Sequence, residues 1–311
     1  MLGLTFGIAA VLLLYRLVSY EWSFNQDFAH YDRVVRVVAV EPADEGNPYT
    51  PGLPIPAMAE IEANNSYFEV TTRIREAFHY LTVPGQTEDK PAKKFKTDGL
   101  PLFVQPGFLQ IFDFPALSGD MSTALVEPNS IILTKSWAEK CFGDWEKAQG
   151  QTLLMDHMYP LKVTGVVEDV AKNKDFNFPF LISYETIRGK EDYLFFSWDQ
   201  WGSCSSNDQF YALLKDKAQF EEADAYITQL GNEKYKEQSG DVERVHHLQP
   251  MSELHFDERY SNSGSHTISK SRLRILAFIG LLILIMACFN FINLSTAQAT
   301  LRSKEVGVRK V

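Results

Sequence analysis

The stretch "ILAFIGLLILIMACF", Ile275–Phe289, decides what kind of protein this is. It is apolar on every side, as a helix facing lipid must be. The uncharged run extends from Ile275 to Leu301. As a helix, at about 1.5 Å per residue, it spans about 40 Å, against a hydrocarbon core of about 30 Å. A buried helix of a soluble core is usually shorter and amphipathic. The run therefore predicts a transmembrane helix over 273–301. Its second half, "NFINLSTAQA", turns polar, with Asn290, Asn293, Ser295 and Thr296. Amides and hydroxyls at membrane depth tend to face neighbouring helices, so these four are expected to form a helix-packing face. A position in the headgroup zone is the alternative.

The other end of the chain carries a second apolar segment, "MLGLTFGIAAVLLLY", uncharged until Arg16. A secretory signal would begin with a basic region and end at a small-residue cleavage site. An interfacial helix would carry a charged face. Neither feature is present. The expectation is a transmembrane helix over 1–20, short at its start, with Arg16, Tyr20 and Trp22 at the interface.

Charge supplies the orientation. The 311 residues have a net charge of -10. Residues 21–270 hold all but one of the 40 acidic groups. The tail "RSKEVGVRKV" is basic, which places it in the cytoplasm by the positive-inside rule. Both ends then lie inside, and 21–272 forms an acidic extracytoplasmic domain. The acidic balance excludes a nucleic-acid binder that works by phosphate neutralisation. With 45% hydrophobic and 13% aromatic residues, the chain is not disordered. Three cysteines do not define a disulfide framework; Cys141, Cys204 and Cys288 are expected to be reduced.

The middle region alternates short strands and helices. "DRVVRVVAVEP" is a Val-rich strand. A short helix starts near Pro56, apolar at Met58 and Ile61. "SIILT" is a strand followed by a helix that Thr134 or Ser136 caps and Gly143 stops. "GQTLLMDHMYPLKVTGVVEDV" reads as a hairpin, "NDQFYALLK" as a strand and "FEEADAYITQLGNEKYKEQ" as an amphipathic helix. The expected fold class is α+β: a mixed extracytoplasmic domain flanked by two transmembrane helices. Motifs for catalysis are missing: no phosphate loop, no H-E-x-x-H pair and no G-x-S-x-G elbow. "GSCSS" at Gly202–Ser206 has the wrong spacing. His246 and His247 are adjacent on a strand and point to opposite faces. No enzyme activity, cofactor or metal is expected.

In their order and spacing, several blocks resemble the MacB/FtsX-like permease subunits of ABC transporters. They are "YEWSFNQDFAHYDRVVRV" (Tyr20–Val37), "PGFLQIFDFPALSGD" (Pro106–Asp120), "ALVEPNSIILTKSWAEKCFGD" (Ala124–Asp144), "GQTL", "KVTGVVEDV", "NKDFNF" (Asn173–Phe178) and the final helix with its exit. The resemblance implies a mixed, two-subdomain periplasmic domain of the macrolide-exporter core type, whose inserted subdomain lies at roughly 100–200. It also implies that the family's further helices are missing, so that the chain is truncated after its second helix. It further implies an inner-membrane location, a homodimer or pseudo-dimer, and a separate ABC ATPase subunit that drives the outer domain. A periplasmic or outer-membrane partner is a further expectation. The helical stub 302–311 would lead to the coupling region. Its Arg302, Lys304, Arg309 and Lys310 would meet acidic groups of the ATPase or lipid headgroups, or serve as plain cytoplasmic anchors. Glu305 can pair with Arg309 at i, i+4, for about 0.2–0.5 kcal/mol. Gly307 lowers helix propensity by about 1 kcal/mol and so suggests a bend or close approach. A two-helix membrane sensor with a periplasmic ligand domain has the same topology and is the alternative.

Overall fold

The computed structural model describes residues 2–41, 47–76, 79–85, 92–96, 99–194, 196–240, 244–260, 262 and 265–308. The chain divides into two units. One contains residues 1–24 and 268–311, the other residues 25–267.

The first unit is a pair of helices, α1 (Leu2–Trp22) and a long helix after the second unit, Lys270–Val308. Helix α1 runs straight through Arg16, which makes it longer than its uncharged part. Its 21 residues span about 32 Å, enough for a bilayer. The long helix starts three residues before the expected 273, because backbone hydrogen bonding continues through Arg272 and Arg274 where hydrophobicity does not. Both helices are long and apolar enough to cross a membrane.

In chain order the second unit contains β1 (Val34–Val40), β2 (Tyr49–Thr50), α2 (Ile55–Ala63), β3 (Phe68–Glu76), β4 (Leu81–Val83), β5 (Lys93–Phe95) and β6 (Leu102–Val104). Next come α3 (Gly107–Ile111), β7 (Ala116–Ser118), β8 (Ser130–Thr134), α4 (Lys135–Phe142), β9 (Thr152–Met155), β10 (Tyr159–Val167) and β11 (Phe180–Ser183). After them are α5 (Glu191–Leu194), β12 (Asp208–Leu214), α6 (Phe220–Ser239), β13 (Val245–Pro250) and α7 (Met251–Leu254). The long terminal helix is α8.

Among the described residues the strands form one mixed sheet, in the order β13-β1-β12-β3-β6-β11-β8-β10-β9-β4-β5, with β2 on β1 and β7 on β10. The pairs β8–β10 and β6–β11 are parallel; the others are antiparallel. Strand β1, paired on both sides by β13 and β12, has β-branched Val34, Val35, Val37 and Val38, all buried, since valine packs well on a pleated surface. The hairpin β9–β10 turns at Asp156 and His157, with φ of 50° and 63°; the Met158 N–H donates to the Met155 carbonyl at 3.0 Å. Two successive positive φ values make the tight turn that suits twisted strands.

Helix α4 begins and ends where the sequence places it, and Gly143 stops it with φ 81°. Its cap differs from expectation. The Thr134 hydroxyl donates to the Pro179 carbonyl, and Asp169 accepts from the Ser136 N–H at 3.0 Å. A tertiary partner outbid local capping. "SYFEVTTRIREAFHYLTV", which reads as one strand, supplies two, β3 and β4.

Among the described residues, three apolar clusters fill the unit. One, around β1, β12 and α6, includes Val37, Phe68, Phe210 and Ile227. A second, around β8–β10 and α4, includes Ile131, Trp137, Leu161 and Ile182. Between these in the strand order is an aromatic cluster with Phe28, Phe108, Phe112, Phe114, Phe176 and Phe178. Phe108 and Phe114 stack at 5.8 Å, while other rings meet edge-on or tilted: Phe112 and Phe176 lie 4.5 Å apart, and Phe28 and Phe112 lie 5.3 Å apart. The phenylalanines of Leu100–Asp120 are thus core residues.

Candidate functional site

Within the helix pair, α1 and α8 pack antiparallel through small residues. A Cβ on Gly3 would lie 2.8 Å from Asn290 Nδ2, and one on Gly7 would lie 2.8 Å from Ala287 Cβ. Further along, Gly280 faces Leu14, with 3.6 Å to its Cδ1. Less exposed positions alternate by three and four: Leu4, Gly7, Val11 and Leu14 on α1, and Leu276, Gly280, Ile283 and Ala287 on α8. That spacing keeps one seam facing its partner. Small residues allow the backbones to approach, where dispersion and not the hydrophobic effect holds helices together. Large apolar side chains point away from the seam: Phe6 is 71% exposed and Leu13 73%.

Of the four polar residues expected to pack, Asn290 lies beside Gly3. Ser295 is half-buried. Asn293 and Thr296 are exposed, and the Thr296 hydroxyl donates to the Ile292 carbonyl of its own helix at 2.8 Å. Helix α8 continues as far as Val308, so Arg302, Lys304, Glu305 and Gly307 lie on its last turns, with Arg302 exposed. Arg309 and Lys310 lie outside the described residues.

The second unit has a buried polar clasp that sequence reasoning missed. The carboxylate of Asp175 accepts from Asn25 Nδ2 at 2.5 Å, from His255 Nδ1 at 3.0 Å and from Ser265 Oγ at 2.6 Å. In return Asn25 Oδ1 accepts from the Asp175 N–H at 3.0 Å, and the Asn25 N–H donates to the Asn173 carbonyl at 3.0 Å. Asn25, Asp175 and His255 are each 1% exposed or less. Asn25 is held at φ 61°, a left-handed conformation that asparagine tolerates better than most residues.

Packing reinforces the polar contacts. The next residue, Lys174, reaches Asp27 at 3.0 Å and lies over the Phe28 ring, 3.5 Å from its centroid. On the other side Phe176 enters the aromatic cluster with Phe28. Three parts of the chain distant in sequence are joined: 25–28, which follows α1; 173–176; and His255 with Ser265, which precede α8. "SFNQDF" and "NKDFNF" both belong to blocks that carry the family resemblance. The clasp is the physical reason those blocks are polar at Asn25 and Asp175 and aromatic at Phe28 and Phe176. Their separation in sequence, with His255 and Ser265 in a third segment, is why pattern reading did not join them.

The remaining reactive groups have structural surroundings. His246 is buried under α6, where Tyr235 Oη lies 3.2 Å from its Nε2; His247 is half-buried on the opposite face. Burial, with Arg244 and His247 nearby, lowers the His246 pKa to about 4. All three cysteines are free. Burial pushes the Cys141 thiol up to about 12 and the Cys204 thiol up to about 11, so neither supplies a thiolate nucleophile.

The family model described as the MacB-like periplasmic core domain matches residues 1–230. No curated protein matches the chain. Among solved structures, a domain of a protein described as a permease from Porphyromonas gingivalis superposes with a TM-score of 0.55. The match is 17% identical and covers 83% of this chain and 99% of that one. At such identity the likeness concerns the fold alone. The periplasmic region of MacB from Actinobacillus actinomycetemcomitans has a TM-score of 0.48, 16% identity, and coverage of 70% and 89%. The extracellular domain of the noncanonic ABC-type transporter YknZ from Gram-positive bacteria has a TM-score of 0.46, 11% identity, and coverage of 70% and 99%.

Proposed function

Because this chain belongs to the MacB-like periplasmic core domain family, we propose that it is a membrane permease subunit of an ABC transporter whose outer domain receives ATP-driven movement from its helices. The observation that carries the proposal is the Asp175 clasp. A device that transmits force must not let the chain peel away at the points where force arrives. Asn25 follows α1 in the chain and Ser265 precedes α8. Both are tied to one buried carboxylate, whose neighbouring residues are anchored in the aromatic core.

In this reading residues 21–272 lie in the periplasm and the two helices cross the inner membrane. Residues 100–200 form the inserted subdomain, supported by the apolar cluster around β8–β10 and α4. ATP is hydrolysed on a separate ABC ATPase subunit, and the permease works as a dimer or pseudo-dimer. Arg302, Lys304, Glu305, Gly307, Arg309 and Lys310 form the cytoplasmic coupling or anchoring segment. Asn290, Asn293, Ser295 and Thr296 face helices of the assembled permease. The work performed is export or the handling of a substrate outside the membrane. No structural observation favours the two-helix sensor.

The test is co-purification of the full-length permease with an ABC ATPase from the same source, followed by charge reversal, Arg309→Glu with Lys310→Glu. Retained ATPase binding with reduced ATP-coupled activity is the expected result. Unchanged coupling would remove those two residues from the mechanism. Failure of any ABC ATPase to associate would remove the permease reading itself.

A further inference from the structure

We propose that a polar cleft in the second unit, bounded by β3, the residues after β6 and the end of β11, is a binding site for a neutral saccharide. The cleft has a volume of about 340 Å³. That is at the small end of the range for ligand pockets, about 300–1,000 Å³. Its wall includes Glu62, Thr71, Gln105, Ser183, Tyr184 and Glu185. The site is independent of the transport reading.

Hydrogen bonds within the chain hold the wall in place. Gln105 follows β6; its N–H donates to the Arg73 carbonyl at 3.2 Å, and its Oε1 accepts from the Arg73 N–H at 2.8 Å. The side-chain amide is thereby fixed, and its NH2 group is left to donate. Gly107 lets this corner close on β3, because a Cβ there would lie 2.2 Å from the Thr71 carbonyl oxygen. On α2, Glu62 accepts from Arg73 Nε at 3.0 Å and from Arg73 Nη2. Glu185, exposed, accepts from Arg188 Nε at 2.9 Å. Ser183 is fully buried and Tyr184 is 2% exposed, and neither hydroxyl has a hydrogen-bond partner among the described residues. Buried polar groups are normally paired, so two adjacent unpaired hydroxyls in the wall of one cleft call for an explanation.

The chemistry of the wall selects the ligand. Each carboxylate already has an arginine partner, so a cation gains little there, yet each keeps lone pairs that can accept from a hydroxyl. An anion would meet Glu62 and Glu185. An aliphatic chain would leave every polar group of the wall unpaired. Glu62 and Glu185 accept, the Gln105 amide donates, and the hydroxyls of Thr71, Ser183 and Tyr184 do either. Such a set suits a molecule whose own groups both donate and accept. A sugar ring carries hydroxyls of that kind on adjacent carbons and bears no charge. The volume admits a mono- or disaccharide.

The experiment titrates the detergent-solubilised full chain with glucose, N-acetylglucosamine, cellobiose and chitobiose by calorimetry. Glycylglycine and spermidine serve as a peptide and a cationic control. At least one saccharide should bind saturably, with a Kd on the order of 1 mM or below. Thr71→Val and Ser183→Ala each remove a hydroxyl with little change in shape. Both should keep the wild-type melting temperature and weaken saccharide binding about fivefold or more. If one of them fails to fold, the other decides. No saturable saccharide binding by wild type, undiminished binding by the folded variants, or tighter binding of glycylglycine or spermidine would overturn the proposal.

Discussion

Replacing Asp175 with asparagine tests the clasp with almost no change in shape. The carboxylate accepts from three side chains, and Asn25 cannot adapt to the loss of one acceptor. An amide at position 175 can keep an oxygen toward His255 Nδ1 and Ser265 Oγ. Its NH2 group then faces Asn25 Nδ2, donor against donor, where 2.5 Å separated donor and acceptor. Rotating the Asn25 amide gives no relief, because its oxygen already accepts from the residue 175 N–H. A buried unsatisfied donor costs about 1–3 kcal/mol, and the two surviving bonds lose their charge assistance. The sum is about 3 kcal/mol, a factor of about 150 in local opening. Hydrogen exchange by mass spectrometry on the full chain reads this directly. Protection should fall by about that factor in 25–31, 173–178 and 254–260, while the β8–β10 pair keeps its own. Ser265→Ala should have a smaller effect, because Asp175 then keeps two of its three side-chain donors. Protection in the three segments within about threefold of wild type would refute the idea that one carboxylate holds them together.

Two further outcomes follow from the geometry. Gly7→Leu should loosen the helix pair, because its Cβ falls 2.8 Å from Ala287 Cβ where carbon contacts need about 3.5–4.0 Å; a cost of about 1–3 kcal/mol is expected. It should appear as lower disulfide cross-linking between Leu14→Cys and Gly280→Cys. His246 should make the outer domain acid-sensitive. Its folded pKa, about 4, lies below the ordinary 6.5, so the folded state binds fewer protons than the unfolded state between those values. Stability is then lost as pH falls through that window, by up to about 3 kcal/mol. Melting curves from pH 7.5 to 4.5 should show this loss, and His246→Asn should flatten it.

The two helices were legible because lipid imposes its demand residue by residue: 27 uncharged positions can be counted. Many elements of the outer domain were legible for a related reason. Alternation in "KVTGVV", the Val-rich "VVRVVAV" and the stop at Gly143 are local consequences of backbone geometry. Where local rules competed with distant partners, the partners decided. Thr134 gave its hydroxyl to Pro179, and Asp169 took over the cap of α4. The seam of the helix pair was half legible. "GLTFG" at Gly3–Gly7 has the spacing of a close-packing face, yet attention to polar groups favoured Asn290, Asn293, Ser295 and Thr296; of these, Asn290 lies beside Gly3.

By itself, the sequence determined two helices long and apolar enough to cross a membrane, the acidic character of the region between them and the α+β class. Each depends on composition or on periodicity within a short window. Tertiary structure alone decided that Asn25, Asp175, His255 and Ser265 share one buried site. Hydrogen bonding acts over about 3 Å in space and is indifferent to separation along the chain. A carboxylate 150 residues from its amide partner carries no mark of that partner in its own neighbourhood.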